Sequence, residues 1–275
     1  MAANDADHIR FLGTAGARFV MIRQDRSTAG VLYSLAGCRL LVDPGPGSLV
    51  HCLNSRPRID PSTLDAILLT HGHLDHGGDV NVMIEAMTHG GHRPHGTLFA
   101  PRDALAGDPV VMRYVRDYLG DIQELAAGRS WALAPDLTLA TPVRHLHGTE
   151  TYGFRLETPT VRISHIADTD YFPELAEHYA PADLLVLHVV LYVVDPSRKH
   201  HILHLDVADA TRLVADIQPR LAVITHFGTH VLEARPWDIA ARMTDETGIR
   251  VLAAHDGMRL DLTDLPHPQA PQEGS

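Results

Sequence analysis

Four side chains able to bind a metal ion fall within six residues of this chain, in the run Thr70-His71-Gly72-His73-Leu74-Asp75-His76-Gly77-Gly78. The run follows Ala66–Thr70, whose unbroken hydrophobicity predicts a strand buried on both faces. It leads into Gly78–Thr88, where Val80, Ile84 and Met87 recur at helical spacing. Side chains just beyond the carboxyl ends of buried strands converge on a crevice in layered α/β proteins. His71 and His73 face one way in an extended loop, Asp75 and His76 follow as the chain turns, and the glycines permit the bend. Neutral imidazole and carboxylate suit zinc, and also manganese or iron. Histidine is in surplus throughout, 20 in 275 residues with no run longer than two, which favours a metal site further.

The rest of the chain reads as alternating strands and helices. His8–Gly13, Gly30–Leu35 and Arg39–Asp43 are short apolar or β-branched runs, followed by the turn at 43–47 and a short helix over Ser48–Leu53. Thr97–Ala100 is expected to be a strand. Asp108–Leu119 is expected to be a helix with Val111, Tyr114, Val115 and Tyr118 inward. Thr138–Arg144, Tyr152–Glu157, Thr160–Ile166, Asp183–His188, Leu221–Thr225, Arg250–Ala254 and Met258–Leu262 read as strands, and Phe172–Tyr179, Asp206–Ile217 and Pro236–Thr247 as helices. Leu221–Thr225 ends in Thr-His226 just as Ala66–Thr70 ends in Thr-His71, which suggests two similar halves meeting at one site. No linker divides the chain, so one domain over 1–264 is expected, with a proline-rich disordered tail over 265–275.

Composition excludes several classes. Twenty-three Lys and Arg against 34 Asp and Glu give a net charge of −11, which argues against general affinity for nucleic acid. The longest apolar run, Leu184 to Val194, is about half the roughly 20 residues a membrane span needs, and His188 interrupts it. The polar start has no basic or apolar signal region, so a cytoplasmic protein with no membrane partner is expected. Cys38 and Cys52 are too few for a disulfide framework and read as reduced core thiols.

The motif His-x-His-x-Asp-His after an apolar strand resembles the signature of the metallo-β-lactamase superfamily. Three further blocks match that family's pattern in order: His147-Gly-Thr-Glu-Thr-Tyr152-Gly-Phe, Ile163-Ser-His-Ile-Ala-Asp168-Thr169 and Val223-Ile-Thr-His226-Phe-Gly. The resemblance implies an α/β (α+β) fold, the four-layer αββα sandwich. It also implies two divalent metal ions, Zn2+ with Mn2+ or Fe2+ as alternatives. His71, His73 and His147 would hold one, Asp75, His76 and His226 the other, and Asp168 would bridge both. His145, two residues before His147, competes for that ligand role; the distance to Tyr152 favours His147. His165 lies near Asp168 but in a strand, where a supporting or core role is expected. His200 and His201 read as solvated loop residues.

Two ions close together share a hydroxide and polarise the group under attack. Asp75 would orient that nucleophile or accept its proton. Phe11-Leu12-Gly13-Thr14, the ending His226-Phe227-Gly228 and His204 ahead of a helix resemble the ribonuclease Z-like phosphodiesterase branch. There a histidine at the place of His204 helps handle the leaving group; packing on Asp206 is the other reading. Ribonuclease Z carries a long arm between its third histidine and bridging aspartate. Here His147 and Asp168 are 21 positions apart, which leaves no room for it and argues against tRNA as partner. Leu74 also stands where that enzyme usually has glycine. Asp79–Thr88 and Ala254–Met258 resemble a poorly characterised group of prokaryotic metallohydrolases. The expected function is therefore a dinuclear metal-dependent phosphodiesterase acting on a small or nucleotide-like molecule through a metal-bridging hydroxide. Hydrolysis of a lactone, thioester or β-lactam is the close alternative, and a mononuclear iron oxidoreductase resembling persulfide dioxygenase the distant one. A homodimer is expected from the branch. The glycines of His89–His95 would suit a flap, but a solvated loop is the simpler expectation.

Overall fold

The computed structural model describes residues 6–28, 30–193 and 202–266, so His200, His201 and most of the expected tail lie outside the described residues. Among the described residues fourteen strands form two seven-stranded sheets. In the first, β1 (His8–Phe11), β2 (Val31–Leu35), β3 (Cys38–Val42), β4 (Ala66–Leu68), β5 (Thr97–Ala100) and β6 (Asp121–Glu124) lie side by side in chain order. In the second, β7 (Arg129–Ala134), β8 (Leu137–Thr141), β9 (Phe154–Glu157), β10 (Arg162–Ile166), β11 (Leu184–His188), β12 (Leu221–Thr225) and β13 (Val251–Ala253) do the same. The last strand, β14 (Arg259–Asp261), returns to the first sheet beside β1.

Both sheets switch direction in the same way. Pairing is antiparallel from β14 through β3 and parallel from β3 to β6; it is antiparallel from β7 to β10 and parallel from β10 to β13. Parallel neighbours need a crossover, and helices supply it. Ser48–Asn54 and Val80–Met87 serve the first sheet; Leu175–Tyr179, Val207–Ile217 and Pro236–Thr247 serve the second. The repeated pattern is the two-halves arrangement that the paired Thr-His strand ends suggest.

Period-two alternation sorts side chains into layers. In β11, Leu184 and Val186 enter the apolar layer between the sheets, with Tyr33, Phe154 and Ile163, while Leu185 and Leu187 pack under the helices with Leu213, Ile217 and Met243. In β4, Leu68 faces between the sheets and Ile67 packs with Met83, Ile84 and Met87. One inter-sheet core and two helix–sheet cores make the four-layer αββα sandwich. Each fully buried Leu, Ile or Phe contributes roughly 1.5–3 kcal/mol to it.

The elements depart from the sequence reading in three places. Asp108–Leu119 forms only one helical turn, Arg113–Arg116; Val111 and Val115 are buried, but Tyr114 is 55% exposed. Residues 108–112 form bends instead, with the Arg116 guanidinium bonded to the carbonyls of Leu105 and Val111. The helix Ala17–Arg23 has no clear signal, because Phe19 and Ile22 are exposed. Strands β6 and β7 are edges with few buried residues, and edge strands lack a strong apolar pattern. His89–His95 is a largely exposed turn. No helix among the described residues is long and apolar enough to cross a membrane.

Both cysteines are free and buried. Burial pushes the Cys38 thiol up to about 12 and Cys52 to about 11. Because the thiolate is the nucleophile, the folded protein is expected to leave both unlabelled by a disulfide-exchange reagent and to release two equivalents in denaturant. Rapid labelling of the native protein would contradict this burial.

Candidate metal centre

The centre lies where β4, β10, β11 and β12 end, and three of its histidines follow such ends. His71 and His73 follow β4 through Leu69 and Thr70, and His226 follows β12 directly. Thr70 is tied down from behind. Its N–H and hydroxyl donate to the two oxygens of Asp43 (2.7 Å each), and the Nδ1–H of His76 donates to Asp43 Oδ2 at 2.8 Å. His71 Nδ1–H donates to the Thr70 hydroxyl at 3.1 Å, and His147 Nδ1–H to the Leu203 carbonyl at 2.9 Å. Each of these bonds occupies one ring nitrogen and turns the other inward, where its lone pair would serve a metal ion once any proton there is released.

Those lone pairs collect in two groups. His71 Nε2 and His147 Nε2 lie 2.9 and 3.1 Å from His73 Nδ1, which makes a triad from two distant parts of the chain. In the second group, His76 Nε2 is 3.6 Å from Asp75 Oδ2 and 3.5 Å from Asp168 Oδ2. His226 Nε2 is 3.5 Å from Asp75 Oδ2 and 3.4 Å from Asp168 Oδ1. Ligands about 2.1 Å from a tetrahedral ion stand about 3.4 Å apart, so these spacings fit one ion. Asp168 Oδ2 also lies 3.9 Å from both His71 and His147 Nε2, which places it between the groups. His76 Nε2 and His226 Nε2 are buried with no hydrogen-bond partner, as is Nδ1 of His204. Buried polar atoms are rarely left so, and a cation would satisfy them.

The electrostatics agree. Burial disfavours charge on His76, but Asp75, Asp43 and Asp168 outweigh it and hold that imidazole well above its usual range. The same competition, led on the favourable side by Asp168, brings His226 up to about 9. Burial would raise the Asp75 and Asp168 carboxyls, yet the surrounding imidazoles hold both below the usual carboxylate range. His71 and His73 are lowered, by burial first and by neighbouring imidazoles second. A negative pocket beside a triad of imidazole nitrogens is a set of donors suited to divalent cations.

Of the residues singled out from sequence, His71, His73, Asp75, His76, His147, Asp168 and His226 come together here, and His204 joins them. Its Nδ1 is 3.5 Å from Asp168 Oδ2 and its ring 5.0 Å from that of His147. Asp206 is occupied elsewhere, in a reciprocal cap with Asp209 at the start of Val207–Ile217. His145 stays outside the groups: its Nδ1–H donates to the Asp168 carbonyl at 3.2 Å, and its Nε2 accepts from the Tyr179 hydroxyl at 2.7 Å. Sequence reasoning gave no site role to Asp43, read as a strand end and turn residue, or to His188, read as a strand end and a break in an apolar run. His188 shares the inward parity of Leu184 and Val186, a signal that was available.

Gly45 is the close approach that holds the loop. A Cβ there would run into the backbone carbonyls of Asp75 and Thr28. Gly45→Ala is expected to cost about 1–3 kcal/mol, the usual penalty of forced overpacking, and to displace Asp75. A thermal melt with metal analysis on the same sample checks both; an unchanged melting point would exclude the contact.

A beta-lactamase superfamily domain model matches residues 38–227, which include every residue of both groups. An uncharacterized protein of Methanocaldococcus jannaschii is 29% identical over 92% of this chain and 94% of its own. Ribonuclease Z of Methanopyrus kandleri is 30% identical, over 56% of this chain and 51% of that enzyme. Among solved structures, the metallo-beta-lactamase fold protein YhfI of Bacillus subtilis superposes with a TM-score of 0.72, at 18% identity over 93% of this chain and 99% of its own. A diphosphatase from the PhnP family gives 0.66, at 19% identity over 92% and 96%.

Proposed function

The chain belongs to the beta-lactamase superfamily, and on that footing we propose that it is a dinuclear metal-dependent phosphodiesterase acting on a small or nucleotide-like substrate. The observation that carries the reading is Asp168 standing between two ligand groups while His204 reaches the same carboxylate. His71, His73 and His147 would hold one ion, Asp75, His76 and His226 the second, and Asp168 both. Two divalent ions there would lower the pKa of water toward neutrality and stabilise the charge that develops on the phosphoryl oxygens. The names of relatives support the phosphoryl chemistry: one is a ribonuclease and one a diphosphatase.

The residues divide the remaining work. Asp75, whose Oδ2 lies 3.6 Å from His76 Nε2 and 3.5 Å from His226 Nε2, would hold the second ion and orient the nucleophile. Asp43 fixes His76 and, through Thr70, His71. His204 keeps 15% of its side chain exposed, so a substrate can reach it. Burial lowers its imidazole to about 4 in the free protein. An anionic diester beside the ring opposes that effect and favours an N–H donor facing the leaving oxygen. The stretch from His147 to Asp168 holds only the two short strands β9 and β10, with no arm to grip a folded RNA, which supports a small substrate.

Elemental analysis of untagged protein, paired with turnover of bis(p-nitrophenyl) phosphate and a panel of lactones, tests the reading. About two zinc or manganese ions per chain, with diester turnover lost on chelation and regained on adding metal, is the expected result. One iron per chain without diester turnover would replace it with the oxidoreductase reading, and faster lactone than diester hydrolysis would replace it with carbonyl chemistry.

A further inference from the structure

Tyr33, His165 and His188 belong to neither ligand group, yet they form an unbroken chain that ends on Asp168. Tyr33 Oη is 2.6 Å from His165 Nδ1, His165 Nε2 is 3.0 Å from His188 Nε2, and His188 Nδ1 is 3.0 Å from Asp168 Oδ1. All four side chains are buried, and strand alternation puts Tyr33 on one sheet and both histidines on the other, facing the same layer. That layer is otherwise apolar and aromatic. Phe154 stacks on His165 with centroids 4.7 Å apart and meets Tyr33 edge-on at 5.7 Å. Three polar groups in such a place are costly unless all are bonded, and here all are.

The carboxylate sets the direction of every bond. Ionised Asp168 only accepts, so His188 Nδ1–H donates to it. His188 Nε2 then accepts from His165 Nε2–H, and His165 Nδ1 accepts from the Tyr33 hydroxyl. Each link carries one proton, and no nitrogen of either imidazole is left unpaired. Both His188 nitrogens are thereby occupied, which excludes His188 as a ligand although it lies beside His76 and His226.

We propose that Tyr33, His165 and His188 are positioning residues: they form a one-way hydrogen-bond relay across the two sheets that sets the rotation of Asp168 and so the affinity for the second metal ion. With Oδ1 held by His188, Oδ2 is the oxygen turned to His71, His76 and His147. Burial supports the neutral forms at the far end of the relay, since it lowers His165 well below its usual range and keeps the Tyr33 hydroxyl protonated. The metal consequence rests on the two-ion reading above; the hydrogen-bond directions do not.

The first arm of the test is a long-range 1H–15N correlation spectrum of the imidazoles in the metal-free wild-type protein. His165 as the Nε2–H tautomer and His188 as the Nδ1–H tautomer support the relay; the reverse tautomers, or an imidazolium at His188, overturn it and need no variant to do so. The second arm titrates cobalt(II) into metal-free protein. Tyr33→Phe is expected to weaken the second ion about 10- to 100-fold, with the first unchanged and both tautomers released. Unchanged binding of both ions overturns the relay. Should Tyr33→Phe fail to fold, His188→Asn and His188→Leu replace it. The asparagine retains an N–H for Asp168 and is expected to bind the second ion at least about tenfold tighter than leucine does; equal affinities overturn the relay. A wild-type protein that takes up fewer than two cobalt ions refutes the two-ion reading, and the tautomers still judge the relay.

Discussion

Asp168→Ala is expected to reduce phosphodiester turnover by more than about a thousandfold, as loss of a group that positions charge in the transition state does. Its carboxylate is the point where the two ligand groups meet, with five imidazoles between 3.4 and 3.9 Å of one or other oxygen and His188 bonded at 3.0 Å. Without it the triad of His71, His73 and His147 keeps three nitrogens, whereas the second group keeps Asp75, His76 and His226 but loses its tie to the first. Metal content is therefore expected to fall below two ions per chain, with the second lost first. The fold survives. The His188 N–H left without an acceptor costs roughly 1–3 kcal/mol, within the 5–15 kcal/mol by which domains are usually stable. Metal analysis, a thermal melt and turnover on one preparation check the three parts together. Two ions retained with turnover within tenfold of wild type would sink the shared-carboxylate arrangement.

The second large effect is graded by leaving group. His204→Ala is expected to slow hydrolysis of a diester with an alkyl or ribosyl leaving oxygen by about 10²–10⁴-fold, the usual worth of a positioned proton donor. The p-nitrophenolate group departs without protonation, so bis(p-nitrophenyl) phosphate is expected to lose far less, and lactones less than alkyl diesters. The comparison of kcat/KM across leaving groups separates this from a general loss of binding: the variant's dependence on leaving-group basicity steepens while wild type stays shallow. An equal loss on every substrate would assign His204 to substrate binding.

Much of the centre could be read from the chain because its ligands sit in compact blocks at strand ends. The spacing of His71, His73, Asp75 and His76 is local, and a glycine loop after a buried strand has few other uses. His147, Asp168 and His226 each ended or followed a run whose apolar pattern marked a strand. The choice of His147 over His145 rested on distance to Tyr152, and the structure shows why the two differ: the chain bends over 146–149 instead of staying extended, and His145 turns back to the Asp168 carbonyl and Tyr179. The helix expected over Asp108–Leu119 shrank to Arg113–Arg116 because apolar residues at helical spacing mark a buried face without fixing the backbone, which here bends and is anchored by Arg116 on the Val111 carbonyl.

The sequence by itself determined the strand-and-helix alternation and the local cluster of His71, His73, Asp75 and His76, because periodicity and ligand spacing are properties of neighbouring positions. His147, Asp168 and His226 were named through the family resemblance. Only the tertiary structure decided that Asp43 stands behind both Thr70 and His76, and that Tyr33 of one sheet meets His165 of the other. Those partners are 27 to 132 residues apart. Parity along a strand says which face a side chain occupies. What lies opposite is set by how two twisted sheets pack, and that depends on every residue in the layer between them.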